Sequence, residues 1–218
     1  IPTFHFEAGN RSFDQNVPEE LNRKIVDHMS DINFVLTEHA RRYLLDEGIR
    51  GDNIFKTGSF LPEIFENYKN DLIQDNILKK LKLNKQEYLV FSFHREENID
   101  NLKNLMNIAE TLNHLAKIKK IKILVSTHPR TKKQLRKLKK FKFNNLIKFY
   151  KPFGFFDYIT LQKNAYCTIS DSGTITEESS LLNFPAITIR NSHERPEGMD
   201  EGVVIMSGLQ KEKVLSAI

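Results

Sequence analysis

The 218 residues are 39% hydrophobic and 28% charged, enough apolar material to bury a core as one large domain or two modest ones. No apolar run approaches the roughly 18 residues of a membrane span, no signal-peptide pattern opens the chain, and the single cysteine, Cys167, excludes an internal disulfide framework and a multi-cysteine metal site. These features favour the cytoplasm, and the formal charge of +5 raises the question of an anionic partner.

The chain opens at Ile1 in what reads as the end of a strand, so a fragment is expected at this end, and again at Ile218, which reads as lying inside a helix. HFEAGNR (5–11) then places Glu7 at a strand tip beside Gly9 and Arg11. Pro18, Glu19 and Glu20 suit a helical first turn, followed by an apolar stripe of Leu21, Ile25 and Met29. Two carboxylates near one cleft can serve as base and acid if their surroundings separate their pKa values. A glutamate beside an arginine equally forms a salt bridge, and both readings stand at this point. INFVL (32–36) and NIFKT (53–57) read as short buried strands. A polar, strandless stretch over 67–86 is the expected domain boundary.

Beyond it, YLVFSF (88–93) reads as a strand whose tip carries His94, Arg95, Glu96 and Glu97. Residues 101–117 read as a helix with Leu102, Leu105, Ala109, Leu112 and Leu115 on one face. IKILVS (121–126) is a strand ending in Thr127, His128, Pro129 and Arg130. RTKKQLRKLKKFK (130–142) carries much of the positive charge, but Leu135, Leu138 and Phe141 recur at helical spacing, which predicts a solvated amphipathic helix and no nucleic-acid partner. LIKFY, AYCTIS (165–170) and AITIR (186–190) complete the strands, the last two followed by Asp171-Ser172-Gly173-Thr174 and by residues 191–197.

Strand and helix alternate throughout, which predicts an α/β fold with parallel sheets covered by helices on both faces. In such sheets ligands bind outside the carboxyl ends of the strands, where these polar tips fall. Ser172, Gly173 and Thr174 at a helix start suit an anion, because unpaired amides and the helix dipole meet a glycine that admits close approach. The plainer alternative is a Thr174-x-x-Glu177 capping box. Arg195 could pair with the same anion in bidentate fashion, and Glu178, one turn in, could accept from sugar hydroxyls. Neither a G-x-G-x-x-G nor a P-loop motif occurs, so no dinucleotide cofactor is expected. No metal is expected either, since His94 and Glu97 alone do not make a site.

Taken together, HFEAGNR, VPEELNR, HREEN, SDSGTITEE and HERPEG resemble, in order and spacing, the non-hydrolysing UDP-N-acetylglucosamine 2-epimerase family over essentially the whole chain. The resemblance implies two Rossmann-like domains of glycosyltransferase-B architecture with the nucleotide between them. Residues 1–68 would be the end of an incomplete N-terminal domain, and 69–218 a nucleotide-binding domain truncated at its end. It implies epimerisation at C2 of UDP-N-acetylglucosamine by elimination and re-addition of UDP through a glycal, without a cofactor, in a homodimer. By position, Glu7, Glu19 and His94 match catalytic residues. Ser172 and Gly173 match the phosphate-binding turn, with Thr174 beside them. Glu178 matches the ribose ligand, Arg195 the cleft arginine, and Arg23 lies nearby. Gly173-Thr174 where Gly-Gly is common, HREEN where HRREN is usual, and HFEAGNRSFDQ are similar to the branch that converts UDP-2-acetamido-2,6-dideoxy-L-talose to UDP-N-acetyl-L-fucosamine. A glycosyltransferase of the same architecture, or a non-catalytic nucleotide-sugar binder, are readings of other classes.

Overall fold

A computed structural model describes residues 1–15, 18–72, 76–190 and 197–218. The chain forms two compact units, one of residues 1–62 with 192–201, the other of 63–191 with 202–218.

The first unit carries a parallel sheet of β1 (Phe4–Phe6), β2 (Ile32–Val35) and β3 (Ile54–Lys56), in that order. The connections are α1 (Pro18–Met29) and α2 (Glu38–Asp46). Thr37 is the N-cap of α2, its side chain accepting from the Ala40 amide at 3.2 Å. Ala8, Val35, Ala40, Leu44 and Ile54 form a small core. Gly9 lies under α2 with φ +76°, and a Cβ there would stand 2.4 Å from the Ala40 carbonyl oxygen. Only glycine fits both conditions.

The expected apolar stripe of α1 is real in sequence but is not a core face. Leu21, Ile25 and Met29 are 64%, 53% and 76% exposed, while Glu20 and Asp27 of the same helix are buried. Polar partners on the β1–α1 loop decide which face turns inward, as described below.

The second unit begins with the short helices α3 (Leu61–Asn67), α4 (Lys69–Leu72) and α5 (Asn76–Leu81). It then alternates β4 (Tyr88–Ser92), α6 (Glu96–Ile99), α7 (Leu102–Lys119), β5 (Lys122–Ser126), α8 (Pro129–Leu135), β6 (Ile147–Tyr150), α9 (Phe155–Asn164), β7 (Cys167–Ser170), α10 (Ile175–Leu182) and β8 (Ala186–Thr188). After α11 (Glu197–Asp200), which belongs to the first unit, β9 (Val204–Met206) and α12 (Lys211–Ala217) close the second. β9 is too short and too close to a turn to stand out in the sequence.

Every strand pair is parallel, and the sheet order is β6-β5-β4-β7-β8-β9. The alternation predicts this, since parallel neighbours need a crossover. Both faces are covered. Leu105, Ala109, Leu112 and Leu115 of α7 pack with Leu89, Phe91, Ile123 and Val125 on one side. Ile77, Leu78, Leu161 and Ala165 pack with Tyr88, Val90 and Leu124 on the other. Burial on both faces is why these strands read as continuous apolar runs. The helix expected over 130–142 ends at Leu135. Leu138 is nevertheless buried and Leu135 and Phe141 pack against the larger core, so the apolar spacing reports burial of a turn as well as of a helix.

Chain order reverses between β4 and β7: strands added after β4 first run outward through β5 and β6, then return to its other side. The crevice outside that switch point is where an open α/β sheet binds its ligand.

Candidate active site

The tips of β4 and β7 bring together His94, Arg95 and Asp171. Asp171 is fully buried and collects donors from the β4 tip. The His94 amide lies 3.1 and 3.0 Å from its two oxygens, the Arg95 amide 3.0 Å and Asn98 Nδ2 2.9 Å from Oδ2. His94 Nδ1 stands 2.9 Å from Oδ1, and Arg95 Nε donates to the Asp171 carbonyl at 3.1 Å. Burial alone would push the Asp171 carboxyl up, but the hydrogen bond and charge of His94, with the Arg95 amide and Asn98, hold it below its ordinary value. The same hydrogen bond raises His94 above its ordinary value, against partial burial and the nearby charges of Arg95 and Arg190.

An ionised carboxylate only accepts, so Nδ1 carries a proton and Nε2 is the outward atom of a ring whose side chain is 55% exposed. Protonated, Nε2 donates to an anion. This is the arrangement of a carboxylate-oriented histidine at a ligand site. In the sequence Asp171 looked like one residue of an anion-binding turn; its pairing with His94 depends on β4 and β7 being neighbours, which residue spacing does not state. Arg190, buried at the end of β8 and close enough to act on His94, was likewise hidden at the end of an apolar run.

The turn before α10 is built from a relay of hydroxyls. Tyr158 OH donates to Ser92 Oγ at 2.8 Å, Ser92 Oγ meets Ser170 Oγ at 2.8 Å, and the Ser172 amide donates to Ser170 Oγ at 3.0 Å. The Ser172 amide is therefore used in shaping the turn. Among the described residues no hydrogen bond is drawn to the Gly173 and Thr174 amides. Thr174 is the N-cap of α10 but makes no side-chain capping bond. Its Oγ1 lies 3.0 Å from Ser172 Oγ instead, so the capping box does not form. Glu178 Oε2 accepts from Gln162 of α9 at 2.8 Å, which fixes the carboxylate and leaves its other oxygen for a second donor. Arg195 lies outside the described residues.

In the first unit the glutamates separate by role. Glu20 is 2% exposed and accepts from the Ser12 amide and hydroxyl at 2.8 and 2.9 Å and from the Phe13 amide at 3.3 Å, tying the loop to α1. Arg23 Nη1 lies 3.9 Å from it. Glu19, one residue earlier, is exposed. Glu7 is exposed as well and sits at φ +62°, a left-handed backbone that a non-glycine residue adopts at a cost of about 1 kcal/mol or more. Arg11, expected as a possible salt-bridge partner of Glu7, is buried and bound elsewhere. It pairs with Asp27 at 2.7 Å and makes two 2.7 Å bonds to Glu47. His5 Nδ1 and the Gly9 amide complete the Asp27 carboxylate at 2.7 and 3.2 Å. This buried network holds Asp27 inward as the Ser12 and Phe13 contacts hold Glu20, while Glu7 and Glu19 are exposed.

The family model described as UDP-N-acetylglucosamine 2-epimerase matches residues 1–218. The chain belongs to this family. It is 38% identical over 224 residues to the UDP-N-acetylglucosamine 2-epimerase of Methanocaldococcus jannaschii, covering 100% of this chain and 61% of that protein. It is 36% identical to the enzyme of that name from Methanococcus maripaludis, covering 98% and 60%. The chain thus spans about three-fifths of these relatives. Among solved structures, the UDP-N-acetylglucosamine 2-epimerase from Rickettsia bellii is 49% identical with a TM-score of 0.90, covering 100% of this chain and 57% of that one. The M. jannaschii enzyme in complex with UDP-GlcNAc and UDP is 39% identical with a TM-score of 0.91, covering 100% and 61%. The fold class is accordingly the α/β, glycosyltransferase-B type expected from the sequence. Among the described residues no helix is long and apolar enough to cross a membrane.

Proposed function

We propose that the protein interconverts UDP-N-acetylglucosamine and UDP-N-acetylmannosamine by eliminating UDP from C1 and the proton from C2 to a glycal, then adding UDP back to C1 with a proton delivered to the opposite face of C2. The observation that carries this reading is the His94–Asp171 pair beside the Gly173–Thr174 amides at the sheet's switch point, in a chain of this family.

The chemistry follows from where charge develops. C2 of the sugar has no carbonyl neighbour, so a carboxylate cannot remove its proton in the ground state. As the C1–O bond lengthens, positive charge grows beside C2 and the proton becomes acidic, while negative charge grows on the diphosphate. An imidazolium at His94 and the turn amides oppose that negative charge, so they stabilise the transition state more than the bound substrate. In this reading Glu7 and Glu19 handle the C2 proton, Ser172, Gly173 and Thr174 hold phosphate, Glu178 takes a ribose hydroxyl, and Arg23 and Arg195 contact the substrate. No cofactor is required. Residues 1–68 belong to an N-terminal domain and 69–218 to the nucleotide-binding domain of a cytoplasmic homodimer.

A second substrate is favoured by the HREEN, SDSGT and HFEAGNRSFDQ variants, namely the 6-deoxy talose nucleotide that yields UDP-N-acetyl-L-fucosamine. Incubating the complete protein with each nucleotide in heavy water tests both: deuterium enters C2 of the true substrate. Tight binding without deuterium in either would instead indicate a transferase or a binding protein. Glu19→Gln abolishes the exchange and leaves the melting temperature within a degree or two, because the side chain is exposed. Glu20→Ala costs about 1 kcal/mol of stability, since two amides and a hydroxyl in part-buried contacts lose their acceptor.

A further inference from the structure

A cavity of about 350 Å³ opens on the second unit beside α8 and the end of β6. Its lining shares no residue with the His94–Asp171 cluster. Leu135, Phe143 and Phe149 supply an apolar wall, with the Phe143 and Phe149 rings edge to face at 4.9 Å. Phe149 is 39% exposed on the outermost strand of the sheet. Lys132, Arg136 and Lys151 line the same cavity.

The charge around it is uncompensated. Residues 130–151 contain ten Lys or Arg and no Asp or Glu. Arg130 points to Glu96 and Asp100 and is neutralised by them. Among the described residues no ion pair is drawn to Lys132, Arg136 or Lys151. Lys132 lies in the last turn of α8 and Arg136 is its C-cap, a spacing of four that puts like charges on one face, where an anion between them relieves their repulsion. An edge strand gains nothing from an exposed phenylalanine beside such a face. A flat ring against Phe149 and a phosphate among the three cations would satisfy both features at once, and the volume lies within the usual range of small-molecule pockets.

We propose that this cavity is a second ligand site, taking a small phosphate ester with a planar ring, of the nucleoside monophosphate class. The site is independent of the epimerase reading, because it uses none of the residues placed in that chemistry. The test is calorimetric titration of AMP into the complete protein held at saturating UDP, with inorganic phosphate and adenosine as separate arms. One AMP per chain is expected, with each half-ligand binding at least about ten-fold more weakly. Lys132→Ala/Arg136→Ala and, separately, Phe149→Ala weaken AMP at least about ten-fold without changing deuterium exchange at the sugar or the UDP affinity. The charge variant keeps its fold because both side chains are exposed, so it decides the matter if Phe149→Ala is unstable. No AMP binding at millimolar concentration, equal binding of AMP and inorganic phosphate, or affinity unaffected by the double variant would each overturn the site.

Discussion

His94 and Asp171 show how one residue gives another its chemistry. Asp171 has several donors, which outweigh its burial and keep it ionised; His94 therefore keeps a proton on Nδ1 and is held above its ordinary value. The stability linked to the pair has a definite pH window. The histidine part is complete below about pH 6.5 and is lost as pH rises through the raised folded value, while the aspartate part is complete above about pH 4 and is lost as pH falls through the lowered one. Asp171→Asn should bring the His94 ring back toward about 6.5 in an NMR titration. The stability gap between this variant and the parent should be widest between about pH 4 and 6.5 and should narrow as pH rises through the raised His94 value. A His94 titration unmoved by the substitution would show that the contact does not set its protonation.

At the scale of elements, the two helix starts with acidic first turns behave differently. In α1 the second glutamate, Glu20, is spent on the loop that carries Ser12 and Phe13, which leaves Glu19 exposed. In α10 the expected cap is absent, and the turn before the helix is shaped by the Tyr158–Ser92–Ser170 relay from α9, β4 and β7. The approach of α2 to the β1–α1 loop is closer still. Gly9→Ala should destabilise the protein by more than about 2 kcal/mol in denaturant unfolding, because the new Cβ meets a carbonyl in a backbone region that L-residues avoid. Gly48→Ala is the control: φ is +87° but nothing lies within 4 Å, so only the backbone cost of about 1–2 kcal/mol remains.

At the largest scale, the two units of this chain differ in how much they bury. Among the described residues the second has cores on both faces of its sheet, whereas the first has one small cluster. Local opening follows buried contact, so hydrogen exchange in the 218-residue chain should be slowest in β4, β5 and β7 and faster throughout β1, β2 and β3. Equal protection in both sheets, read by mass spectrometry of exchanged peptides, would contradict this.

What is local or periodic could be read from the chain before folding. The apolar runs at 88–93, 121–126 and 165–170 become strands because buried parallel strands need apolar side chains on both faces, and the Pro18-Glu-Glu start of α1 carries its own signal. The polar tips after β4 and β7 were legible as ligand-facing for the same reason. Which tips are neighbours, which glutamate of the Glu19-Glu20 pair is buried, and which face of α1 turns inward emerge in the folded chain. Sheet order places Asp171 against His94 across 77 residues of chain, and the Arg11–Asp27–Glu47 network joins residues of the β1–α1 loop, α1 and the end of α2. Charge pairing and hydrogen bonding between distant segments depend on contact, and contact is what a linear pattern does not contain.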